Sequence, residues 1–85
     1  MIDKGTIEQA YSFFHQKLRV YEFSHSEVQM DDIEYAISSY VDMMSPELYE
    51  KLAKGRKGFL REHSMFLSDI REAVEAMDSM IVSAP

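Results

Sequence analysis

Residues 26–44 read SEVQMDDIEYAISSYVDMM. Met30, Ile33, Ala36, Ile37, Tyr40, Val41 and Met44 recur there at spacings of three and four. That is the period of one face of an α-helix, not the strict alternation of a half-buried strand. Ser26 precedes the pattern as an N-cap, with Gln29 three residues later completing a capping box. Asp31, Asp32 and Glu34 place negative charge in the early turns. The segment predicts a helix over about 27–44.

The same period extends in both directions. Upstream, Ile7, Ala10, Tyr11, Phe14, Leu18 and Tyr21 form one apolar stripe, predicting a first helix over about 6–23 with Thr6 and Gln9 as its capping box. Ser24-His25-Ser26 is a short turn, and a connection that short implies an antiparallel neighbour. Downstream, Ser45 is an N-cap and Pro46 suits the first helical position, where no N–H is needed. A short third helix is expected to end near Gly55. A last helix is expected over about 58–81, with His63, Phe66, Ile70, Ala73, Met77 and Met80 on its inner seam. Continuity through Gly55 and Gly58 is the alternative. Two glycines cost about 2 kcal/mol relative to alanines in a helix interior, which favours a break. No Asn-Gly or Asp-Gly hairpin signal occurs. The expected fold class is all-α: a small antiparallel bundle of three to four helices with a long C-terminal helix, residues 1–85 forming a single domain.

Composition narrows the function classes. The chain has 85 residues, 46% of them hydrophobic, and a net charge of −6. No segment approaches the roughly 18 apolar residues of a membrane span. The N-terminus lacks the apolar core of a signal peptide, so a cytoplasmic location is expected. With no Cys, thiol catalysis and Cys-based zinc sites are excluded. The acidic balance argues against nucleic acid as the main partner, because the phosphate backbone attracts cations. No phosphate-binding loop, nucleophile elbow or zinc spacing is present, so neither a cofactor nor a metal is expected. Glu22-Phe23-Ser24-His25 reads as a helix end and a polar turn.

The densest local feature is cationic: Lys51, Lys54, Arg56, Lys57 and Arg61. Lys54, Arg56, Lys57 and Arg61 are the candidate residues for an anion or a partner. The plainer reading of this run is a solvated corner between helices, dispensable for folding. Arg56 and His63 have six residues between them and resemble the Arg and His motif of four-helix ribonucleases of the HEPN type. The resemblance covers eight residues. It implies His63 as general base and Arg56 as the stabiliser of a developing phosphate charge. The helical pattern itself puts His63 on the core seam, where a histidine bonded to a neighbour is expected. Asp69 and the other carboxylates of the last helix are expected on its outer face.

Phe13, Val20, Phe23, Met43, Met65 and Val82 fall off the main stripes, so a second contact surface is expected. The function expected is that of a non-enzymatic protein-interaction module: an adaptor, regulator or inhibitor acting by binding and forming a homo-oligomer. The expected self-contact is Met77, Met80 and Ile81, on a last helix longer than its neighbours can cover. The alternative is a nucleic-acid-binding or HEPN-like ribonuclease domain using Arg56 and His63.

Overall fold

The computed structural model describes residues 2–83. Four α-helices follow one another: α1 (Lys4–Glu22), α2 (Glu27–Met43), α3 (Pro46–Ala53) and α4 (Phe66–Ser83). A 3₁₀ turn, His63–Met65, leads into α4, giving a C-terminal helical segment of 21 residues, and no strand occurs among the described residues. The fold is thus a small all-α bundle.

Local chemistry sets the helix ends. Asp3, not Thr6, caps α1, its carboxylate accepting the Thr6 N–H at 2.7 Å. That bond holds the Asp3 carboxyl below its ordinary value. Ser26 and Ser45 cap α2 and α3 as expected, with Pro46 at the start of α3. Tyr21 bonds Glu34 and Phe13 stacks on Tyr40, so positions rise along α1 as they rise backwards along α2. The two helices are antiparallel.

The chain breaks between α3 and α4. Lys54, Gly55, Gly58 and Leu60 all adopt positive φ. Gly58, at φ +76°, sits where an L side chain is strained, so glycine suits this turn; a Cβ there would meet only the movable end of the Glu62 side chain. Leu60 holds φ +63° without being glycine, a conformation costing roughly 1–3 kcal/mol. It is kept there by burial of its side chain and by an N–H bond to Asp69 at 3.0 Å. The last α-helix therefore begins at Phe66 rather than near Gly58.

The buried side chains form one continuous cluster, with Phe14, Phe59, Phe66, Ile37, Leu48, Ile70 and Met77 fully enclosed. α1 packs chiefly against α4, and the Tyr21 and Phe66 rings meet at 5.0 Å. At 19 and 18 residues these helices are about 28 and 27 Å long. With its 3₁₀ turn the C-terminal segment spans 21 residues against the 19 of α1, so the expected length mismatch is small. No helix of the described residues is long and apolar enough to cross a membrane.

Candidate functional site

The cationic run on the α3–α4 connection is an exposed corner in which Arg56 and Arg61 are tied down by ion pairs. The Arg56 guanidinium donates to Asp69 and, at 2.7 Å, to Glu72, both on α4. It also lies 5.0 Å from the centre of the Phe59 ring. Glu72 and Asp69 hold its pKa above the ordinary value. Asp69 is only 1% exposed and accepts the Leu60 N–H through its other oxygen. This corrects the expectation that Asp69 belongs to the outer face of α4. Arg61 reaches across to Asp42 of α2 at 2.6 Å. Lys54 and Lys57 remain exposed.

Dispensability for folding is therefore expected of the two lysines and not of Arg56. Changing Lys54 and Lys57 together to Ser is expected to leave the thermal midpoint within a few degrees of wild type, since exposed charges contribute roughly 0–1 kcal/mol. Adding Arg56→Ser is expected to lower it well beyond that, because the buried Asp69 carboxylate loses its cation. Thermal melts followed by circular dichroism compare the two. Equal midpoints for both variants would contradict the structural role of Arg56.

His63 sits elsewhere. Its side chain is 73% exposed, not on the core seam, because α4 begins three residues later. Its Nδ1 lies 2.8 and 3.0 Å from the two carboxylate oxygens of Glu34. Glu27, Met30, Asp31, Glu34 and His63 line an open cleft of about 530 Å³. One ligand atom from each of Asp31, Glu34 and His63 can be chosen so that all lie within 4.8 Å of one another. The Tyr21 hydroxyl, from α1, donates to Glu34 at 3.0 Å. Burial and the Glu34 carboxylate push that phenol up to about 12, so Tyr21 is a donor at neutral pH. Arg56 and His63 thus engage different partners, and the cleft holding His63 contains three carboxylates and no Arg56. An acidic cleft repels a phosphate backbone.

Compared with protein-family models, with curated proteins and with solved structures, the chain has no match.

The expected self-contact residues divide. Met77 is fully buried within the chain's own core, which removes it from any surface contact. Met80 and Ile81 are half-buried against that core, and the following Val82 is exposed. Of the off-stripe residues, Phe13 is packed on Tyr40, whereas Val20, Phe23, Met43, Met65 and Val82 are exposed. Val28 and Tyr35 join them and were not singled out by the pattern. Their signal was available: they are seven apart on α2, on the side opposite Ile33 and Ile37.

Proposed function

We propose that the protein acts by binding, as a small interaction module of the adaptor, regulator or inhibitor kind, and that its recognition surface is the outer side of α2. The observation carrying this reading is the exposure of Val28, Tyr35 and Met43, at 71%, 77% and 80%, along one side of a single helix. α2 also carries Glu27, Asp31, Asp32, Glu34 and Asp42 and neither Lys nor Arg. Apolar side chains set among carboxylates suit a cationic amphipathic protein segment, whose apolar residues cover the first and whose lysines or arginines meet the second. A second copy suits this side poorly, because two-fold packing would set the same acids against one another.

A synthetic amphipathic helical peptide of Lys and Leu is the probe, titrated calorimetrically in EDTA. Saturable binding that weakens with salt is expected, with a loss of at least about tenfold in the Tyr35→Ser, Met43→Ser double variant. Binding that is absent, or equal in the two proteins, contradicts the reading. Self-association through the end of α4 is a second reading, favoured by exposed Val82 beside half-buried Met80 and Ile81. Light scattering tests it: a mass of 9.9 kDa at micromolar concentration is the monomer and removes it.

A further inference from the structure

We propose that the cleft between α2 and the turn leading into α4 binds a divalent first-row transition ion, zinc being the reference case, through Asp31, Glu34 and His63. This goes beyond the recognition surface proposed above and draws on two of the α2 carboxylates named there, Asp31 and Glu34.

The donor set selects the class of ion. One imidazole with two carboxylates suits zinc and its neighbours, whereas magnesium and calcium favour all-oxygen surroundings. Asp31 and Glu34 are three apart on α2, so the helix presents them one above the other. The third ligand comes from a separate element, the first residue of the His63–Met65 turn. A pair on one helix and a single donor facing it from another segment can close around an ion, which a row of acids on one helix cannot.

The distances are close to those an ion requires. In a tetrahedral site with bonds of about 2.0–2.1 Å, neighbouring donor atoms lie about 3.3 Å apart. The His63 Nδ1 stands 2.8 Å from the nearer Glu34 oxygen. Seating an ion between them needs the two atoms to separate by a few tenths of an ångström. Asp31 completes the group with a carboxylate oxygen within 4.8 Å of the other two ligand atoms, and its exposed side chain is free to rotate inward.

Two further features support the site. The Glu34 Oε2 that lies nearest His63 also accepts from the Tyr21 hydroxyl at 3.0 Å, the kind of outer contact that orients a metal ligand. Tyr21 is itself buried against Phe66, so this support is anchored in the core. The cleft also carries excess negative charge. Glu27, Asp31 and Glu34 follow one another on successive turns, and among the described residues neither Glu27 nor Asp31 makes a salt bridge. A divalent ion neutralises this charge. The open side of the cleft leaves a fourth coordination position to water.

The test uses the full chain stripped with EDTA and titrated with zinc chloride, without peptide. One ion per chain is expected, with micromolar affinity. His63→Ala and Asp31→Asn, both at exposed positions, are each expected to weaken binding at least about tenfold while keeping the helical circular dichroism. Zinc at about 100 times its dissociation constant is expected to raise the wild-type midpoint by roughly 10–20 °C and to leave the variants nearly unmoved. Millimolar magnesium is expected not to compete. The proposal is overturned if zinc does not saturate a site below millimolar concentration, or if magnesium displaces it. It is equally overturned if His63→Ala binds as tightly as wild type, since the imidazole would then not be a ligand.

Discussion

Replacing Asp69 by Ala is expected to lower the stability of the fold by about 3 kcal/mol, more than a typical point change and far more than loss of a surface carboxylate. Two losses add. The Leu60 N–H, which donates to Asp69 at 3.0 Å in a buried setting, is left without an acceptor, at roughly 1–3 kcal/mol. The connection between α3 and α4 also loses the carboxylate to which Arg56 is tied. Leu60 then has less to hold it at φ +63°. Partial relief comes from no longer burying a charged group, so the sum stays well below the two losses at their upper limits. Asp69→Asn keeps an acceptor for Leu60 and removes only the charge, so a smaller loss is expected. Urea denaturation of the two variants measures both values. A loss under about 1 kcal/mol for Asp69→Ala would show that the Asp69 contact is not structural.

That carboxylate also shows where sequence reading ends. The helices of this chain are legible because apolar spacing is a local property: the α2 stripe and the Ser26 and Ser45 caps appear in the structure as they appear in the sequence. The start of α4 is not legible in the same way. Leu60 keeps the apolar seven-residue spacing with Leu67, yet its backbone is left-handed and its contacts belong to a loop. Periodicity records that a side chain is buried, not which element buries it. Starting the helix too early misplaces what precedes Phe66: His63 moves from seam to solvent, while Phe66, Ile70, Ala73 and Met77 stay on the seam as expected. Asp69, next to Ile70 at the edge of that face, is buried where the loop carrying Leu60 meets it. The cleft was hidden for a different reason. Asp31 and Glu34 are visible as a pair on one helix, but their partner His63 lies 29 positions away from Glu34 and is brought there only by tertiary packing.

Met77→Glu is expected to abolish the folded state, whereas Ile81→Glu leaves it intact. The spacing of α4 put both residues on one seam, and an interface between two copies would have made both changes harmless to the monomer. The structure separates them. Met77 is 0% exposed at the centre of the shared core, and Ile81 is half-buried near the end of the helix. Among the described residues no buried side-chain nitrogen or oxygen lacks a partner, so the core has no spare polar group to receive a carboxylate. An unpaired buried carboxylate costs several kcal/mol, and loss of the methionine removes roughly 1.5–3 kcal/mol of apolar burial. Together these reach the roughly 5–15 kcal/mol that holds a domain folded, and a chain this short sits low in that range. Ile81→Glu can turn its carboxylate to water and costs about 1 kcal/mol. Met77→Leu conserves volume and costs less than about 1.5 kcal/mol, which separates the effect of charge from that of shape. Circular dichroism and a thermal melt of the three variants distinguish these outcomes. A Met77→Glu protein that still melts cooperatively within a few degrees of wild type would mean that α4 presents this position to the surface.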